Sequence, residues 1–484
     1  MRLLLSCYVV LMLLMGCQNQ TGPGDAVETE KPTQMWAGSP RDSQNNEDIS
    51  NHGALKTLPD RAAPQRGSDN TDEEEHTGRA ENTETNPQVE IDEASTRIDE
   101  VTQEEPETLQ EEELETSSNE EVPLLYGDAC HEQGPYPTID WQMSSPEAEG
   151  VDPSGLNEAA MFAGQNQSSC LVVVRNGKLI GEWYWGMNSS ATLQKSWSVT
   201  KSYSATVAGI AISRGDIGSV HDLVADYVPE WNVEPKDWVT IEHLLSMTSG
   251  LKFGLVADNI GISLAKNMSK KAIEWPMKHV PGALWEYNNH TVQMIEPVIR
   301  NATNMPPQEY AEQHLFGPLG MTAEWTEDNV GNPTMYMNVK ASCRDHAKFG
   351  YLYLRKGCWD GVQLLDEQYV HAATSPSSDL NPGYGYWWWL NGQFPTLDSI
   401  DFKPKPDILH PDLPHDAFCA VGLGSQVVEV IPSEDLVIVR MGPAPHENLT
   451  LWETQGAVLD ALMEDGKQLV HNGVVERVFN AIVD

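Results

Sequence analysis

Positive charge is scarce in this 484-residue chain: 30 Lys and Arg stand against 72 Asp and Glu, a formal net charge of −42. So acidic a surface repels phosphate backbones, which argues against nucleic acid as a partner. Metal-binding spacings are missing too. The 14 His are scattered, there is no H-x-x-x-H and no C-x-x-C, and no run of carboxylates has the spacing of a calcium loop. The sequence therefore offers no metal site and implies no cofactor. The apolar run Leu3 to Met15 is too short to cross a bilayer comfortably, which takes about 20 residues. Aromatic residues are almost absent from residues 18–122.

What is present divides into three parts. Residues 18–122 hold 28 acidic and 7 basic residues, so half of the net charge sits in roughly a fifth of the chain. This Glu-, Asp-, Asn-, Thr- and Pro-rich stretch cannot bury enough apolar surface to offset its chain entropy, and is predicted to be a disordered acidic tether. Its root-mean-square reach would be roughly 55 Å. Residues 1–17 carry Arg2, then the apolar run, then Leu14-Met15-Gly16-Cys17 at the position of a cleavage site. That ending resembles the lipobox of bacterial lipoproteins, which implies a lipoprotein-type signal peptide, a lipid on Cys17 and a membrane partner through that anchor. Gln18 after the cysteine implies the outer membrane where a cell has two. The expectation is export to the bacterial cell envelope, with residues 123–484 as the folded domain.

Five cysteines lie beyond the tether: Cys130, Cys170, Cys343, Cys358 and Cys419. An oxidising compartment permits disulfides, and the odd number leaves at least one thiol over. Ser342 to Arg355 reads as a helix with a Ser342/Asp345 capping box, which would hold Cys343 and Cys358 about 20 Å apart, beyond bridging range. Cys130 with Cys170 is the expected bridge.

A nucleophile is suggested by Ser196-Trp197-Ser198-Val199-Thr200-Lys201-Ser202, which opens a helical pattern ending at Arg214 and Gly215. Lys201 stands three residues after Ser198, on the same helix face and within reach of its hydroxyl. Two further S-x-x-K matches occur, Ser249/Lys252 and Ser263/Lys266, so context has to choose. Leu171 to Arg175 and Lys178 to Trp185 read as strands joined by an Asn176-Gly177 hairpin turn, and a polar loop leads from them to Ser198. A helix N-terminus suits a nucleophile, because its unpaired amides can hydrogen-bond a developing oxyanion. Ser249 sits instead in a turn, and Ser263 in a predicted surface helix near Lys270 and Lys271. Small residues at Ala205, Ala208, Gly209 and Ala211 predict a closely packed, buried helix after Ser198.

The chemistry needs a base. Lys201 could serve, but it ordinarily titrates near 10; to act at neutral pH it must drop about three units, roughly 4 kcal/mol, which burial and like charge nearby can supply.

Ser198-Val199-Thr200-Lys201, followed by Thr240-Ile241-Glu242-His243-Leu244-Leu245-Ser246-Met247-Thr248-Ser249-Gly250-Leu251, resembles the serine β-lactamase-related hydrolases, a group including class C β-lactamases, DD-peptidases, esterases and 6-aminohexanoate-dimer hydrolase. Tyr287 and Asn289 after Pro281-Gly282 match its Tyr-x-Asn element, Ser342 to Gly350 its helix beside the site, and Phe418 to Gln426 its third-motif strand. The resemblance spans about Cys170 to Gly442. It implies an α+β fold, a mostly antiparallel sheet flanked by helices plus a helical subdomain. It also implies Ser198 as nucleophile, Lys201 and Tyr287 sharing the base role, Asn289 orienting Lys201 or substrate, and the Ser198 and Leu423 amides, beside Gly422, as oxyanion donors.

The third motif departs from the family. β-Lactamases and DD-peptidases have Lys-Thr-Gly there, the Lys binding a substrate carboxylate; this chain has Ala420-Val421-Gly422. The expectation is thus a serine hydrolase of small-molecule esters or amides, nearer the 6-aminohexanoate-dimer hydrolase and esterase branch than β-lactamases. The alternative is a catalytically idle penicillin-binding-protein-like lipoprotein that holds a cell-wall peptide or partner. Most rings of Tyr384 to Trp389 are expected in the core, with one facing the cleft. His290, His415 and Asp416 are read as structural, residues 391–414 as a candidate lid, and Leu451 to Met463 and Leu469 to Val483 as terminal elements.

Overall fold

The structure, a computed structural model, describes residues 126–130, 134–392, 396–397, 399, 402–404, 409–442 and 470–483. These belong to one unit of the chain, Glu111–Asp484. The signal segment, the tether and the expected helix Leu451 to Met463 lie outside the described residues.

Helix α1 (Pro153–Gln165) starts where Asp152 accepts hydrogen bonds from the amides of Ser154 and Gly155, with Pro153 preset for the first turn. Strands β1 (Cys170–Arg175) and β2 (Lys178–Tyr184) follow. Their Asn176-Gly177 turn has φ of 52° and 72°, the left-handed pair that Asn-Gly supplies at little cost. Helix α2 (Thr200–Ser213) comes next, then, after a largely helical stretch, α3 (Cys343–Leu354), β3 (Trp389–Leu390), β4 (Phe418–Gly422), β5 (Gln426–Ile431), β6 (Leu436–Met441) and α4 (Val470–Phe479).

The six strands form one antiparallel sheet in the order β2-β1-β6-β5-β4-β3. Alternation along the strands sends Val428, Val430 and Val437 to one face, where α3 packs so closely that a Cβ on Gly350 would lie 2.8 Å from Val428 and Val437. The opposite face carries α1, whose Leu156 lies against Gly181 of β2, and α4, whose Gly473 admits the Phe162 ring. Short helices, among them Ile241–Leu245, Met268–Glu274, Asn289–Gln293 and Ile295–Thr303, build the helical part. Helix α2 lies between this part and β4, buried from Thr200 to Ala211. A Cβ on Gly209 would overlap the Tyr369 ring, which explains the small residues on this helix. The polar side chains of α2 are all paired: Ser202 donates to the Trp387 carbonyl, Ser204 to that of Met335, and Thr206 to that of Ser202. The fold is the α+β arrangement the sequence implied.

The expected Cys130–Cys170 bridge is wrong. Cys130 bonds to Cys358 and Cys170 to Cys343, with Cα separations of 5.9 and 6.6 Å, and Cys419 is a buried free thiol. Cys170 begins the strand on which α3 lies, so the first residue of α3 reaches it. Ala129 pairs with Val362 of the ribbon after α3, which brings Cys130 to Cys358. The two cysteines flanking α3 are indeed not joined to each other.

Candidate active site

Trp197 holds φ of 49°, a left-handed conformation that costs a bulky residue energy, and a tight turn over Trp197–Val199 then presents Ser198 at the head of α2. Lys201, one turn on and 1% exposed, has its Nζ 3.0 Å from Ser198 Oγ and 2.9 Å from the Tyr336 carbonyl. Burial lowers its pKa to about 7, against the opposing pull of the Asp258 carboxylate. The required drop is therefore present.

Tyr287 reaches the same point from the helical side. The segment before it is clipped down by Gly282 N–H to the Thr248 carbonyl, 2.8 Å, and Glu286 N–H to that of Met247, 3.0 Å. Its ring centre lies 4.7 Å from Lys201 Nζ. Burial pushes its phenol well up, only partly offset by a hydrogen bond with Ser198, so at neutral pH it is a phenol and not a phenolate. Of the two candidate bases, Lys201 alone has a pKa suited to the task.

Asn289 begins the helix after Tyr287. Its Nδ2 donates to the Asp258 carbonyl at 3.1 Å and to Asn259 Oδ1 at 3.3 Å, so this amide anchors a loop, while its Oδ1 is buried without a hydrogen-bond partner among the described residues. Gly422 ends β4 directly against the Ser196–Ser198 backbone: an added Cβ would stand 2.4 Å from the Ser196 carbonyl oxygen and 3.1 Å from the Ser198 amide nitrogen. Leu423 follows at the turn into β5, its carbonyl accepting from Gln426. No cation occupies the third motif, where Ala420 is buried.

The other S-x-x-K matches dissolve. Ser249 is buried and bonded to Thr291 at 2.6 Å. Ser263 is not on a surface helix as expected; it follows the wide turn Ala257–Gly261, and its hydroxyl bonds Tyr336 Oη at 3.0 Å. Lys252 and Lys266 are exposed.

Two residues escaped the sequence reading. Tyr336 supplies the carbonyl that holds Lys201. Asp258, 1% exposed, accepts from the amides of Asn289 and His290 at 2.7 and 3.1 Å and lies 2.6 Å from His290 Nδ1, with Trp275 stacked on that imidazole at 3.9 Å. It is the carboxylate whose field opposes the lowering of Lys201. The available signal was an Asp258-Asn259 pair in the otherwise apolar run Leu255 to Ile262. Of the aromatic run, Tyr384, Tyr386, Trp387, Trp388 and Trp389 are all buried in the core, and Trp389 also stacks on Tyr287 with centroids 5.9 Å apart. Phe402, from the candidate lid, lies against Phe253 and Trp285.

An antiparallel α+β frame with a serine at the head of its central helix and a burial-tuned lysine beside it defines the serine-hydrolase type of site. Comparison with known proteins gives the family: the Beta-lactamase family matches residues 156–450, and the chain belongs to it. An uncharacterised protein of Alkalihalophilus pseudofirmus is 24% identical over 301 residues, 55% of this chain and 81% of that one. Esterase EstB of Burkholderia gladioli is 30% identical over 149 residues, 27% of this chain and 37% of the esterase, so the match spans little more than a third of that enzyme. Among solved structures, a Bacillus anthracis protein assigned as a 6-aminohexanoate-dimer hydrolase superposes with a TM-score of 0.51 at 17% identity, over 71% of this chain and 90% of that one. A Bacteroides dorei protein assigned as a β-lactamase gives 0.50 at 16% identity, over 65% and 100%. These likenesses carry the fold.

Proposed function

We propose that the protein is a serine hydrolase that cleaves an ester or amide through an acyl-enzyme on Ser198. Neutral Lys201 takes the Ser198 proton as Oγ attacks the substrate carbonyl carbon. The oxyanion rests on the Ser198 and Leu423 amides, beside which only a glycine fits at 422. The proton passes from Lys201, with Tyr287 as a neutral relay, to the departing alcohol or amine. Water then attacks the acyl ester, gives its proton back along the same route, and frees Ser198. Asn289, through its buried Oδ1, is given the role of accepting from the lysine or from substrate.

The observation that carries this reading is the 3.0 Å approach of Lys201 to Ser198 in a site whose burial holds the lysine near neutrality. With Ala420 in place of the third-motif lysine, the preferred substrates lack a carboxylate handle. The partial likeness to an esterase supports the ester branch. We further propose that the enzyme is exported and lipid-anchored through Cys17, a reading supported by two disulfides in the folded domain.

Intact-mass labelling with a fluorophosphonate tests the activity: one adduct on the wild type and none on Ser198→Ala is expected. A correctly folded wild type that takes no label would identify an idle binding protein instead. Among p-nitrophenyl esters, 6-aminohexanoate oligomers, D-amino-acid peptides and nitrocefin, short esters should turn over fastest and nitrocefin slowest; fast nitrocefin turnover would contradict the role given to the missing lysine.

A further inference from the structure

Glu429 has no place in this chemistry and yet is completely buried. It lies at mid-strand on β5 with neither carboxylate oxygen in a hydrogen bond to any described N–H. Its polar neighbours include the Cys419 thiol, directly across on β4, and the His410 imidazole, whose Nε2 is 3.6 Å from Oε2. A carboxylate taken out of water without donors is costly, and the site must hold either a proton or a cation.

The three side chains converge. One ligand atom from each of His410, Cys419 and Glu429 lies within 4.8 Å of the other two, and all three residues are fully buried. The approach of His410 is built: Asn391 accepts from its amide at 2.7 Å and donates to its carbonyl at 2.9 Å, and donates also to the carbonyls of Leu413 and Pro414. Cys419 and Glu429 are fixed by the β4–β5 register. The residues come from a loop and two strands, which is why no sequence spacing announced them.

We propose that His410, Cys419 and Glu429 bind one transition-metal ion of the Zn²⁺ class. A thiolate, an imidazole and a carboxylate form a set that suits Zn²⁺ or Co²⁺, whereas Ca²⁺ and Mg²⁺ demand oxygen ligands throughout. Binding releases the thiol proton and any proton on the carboxyl. The two positive charges of the ion then meet one thiolate and one carboxylate, so a neutral unit is buried in place of a bare charge. The ion would staple the 409–414 segment to the sheet beside Trp389, which pairs with Cys419 across β3–β4 and whose ring stacks on Tyr287.

The test uses untagged full-chain protein, stripped with a chelator, equilibrated with Co²⁺ and passed through gel filtration in excess Mg²⁺. The expected result is about one Co²⁺ retained per chain, with an intense near-ultraviolet thiolate-to-cobalt band, which carboxylates of the acidic segment cannot produce. Cys419→Ser should abolish the band, and His410→Ala and Glu429→Gln should each weaken retention tenfold or more. Zn²⁺ should raise the melting temperature of the wild type and leave Cys419→Ser unmoved. The proposal is overturned if stripped wild type retains no stoichiometric Co²⁺, a measurement that depends on no variant folding. It is equally overturned if the band and retention persist in Cys419→Ser, in which case the cluster is a proton-sharing triad.

Discussion

Lys201 illustrates what burial does to one side chain. An ordinary lysine is protonated at neutral pH and useless as a base; this one is enclosed by α2, Tyr287 and Tyr336, and falls to about 7. Its neutral form predominates above that pH, so kcat/KM should rise with pH through about 7 and then level off. Asp258 opposes the fall. Asp258→Asn removes that negative charge and should move the acid limb of the pH–rate profile to lower pH; a limb that stays put or moves upward would show that Asp258 does not act on Lys201. Ser198 and Lys201 could be picked out of the sequence because they lie three residues apart on one helix face, and Tyr287 because it stands in a recognisable element. Asp258 and Tyr336 could not, since they meet Lys201 only through the tertiary fold, and their local surroundings look like those of any buried acid or packing tyrosine.

At the scale of elements, the contact that matters most is β4 against the head of α2. Gly422→Ala would drive a Cβ into the backbone at Ser196 and Ser198, atoms that cannot yield without moving the nucleophile. Ester hydrolysis should fall by roughly two orders of magnitude or more, as for loss of an oxyanion donor, while far-UV circular dichroism stays native. Retained activity would mean that β4 lies elsewhere. The disulfides bind elements far apart in sequence, with separations of 228 and 173 residues. Replacing Cys170 and Cys343 together by Ser should cost about 2–5 kcal/mol by chemical denaturation. Sequence reading found the β1–β2 hairpin and the extent of α2, where Asn-Gly and a run of small residues are local signals. It paired the wrong cysteines, because the register that sets α3 against β1 is a property of the packed sheet and leaves no mark on the spacing between cysteines.

The whole molecule carries the family fold, to which the proposed preference for substrates without a carboxylate handle is added. The α+β architecture was legible because several motifs occur in the family's order from Ser198 to Gly422. The metal-ligand cluster was not, since β4, β5 and the 409–414 segment converge only after folding. The proposed attachment to the envelope is a separate matter: Cys17→Ser should shift the protein from the membrane to the soluble fraction on cell fractionation and leave its rate of fluorophosphonate labelling unchanged, and a variant that stays membrane-bound would contradict the lipid anchor. The central claim, that Ser198 is activated by a lysine held near neutrality, is tested most directly by the second-order rate of fluorophosphonate labelling across pH. Labelling confined to Ser198, with a half-maximal rate near pH 7 that collapses in Lys201→Arg, is the expected result. A rate still climbing at pH 10, or one indifferent to Lys201→Arg, would contradict it.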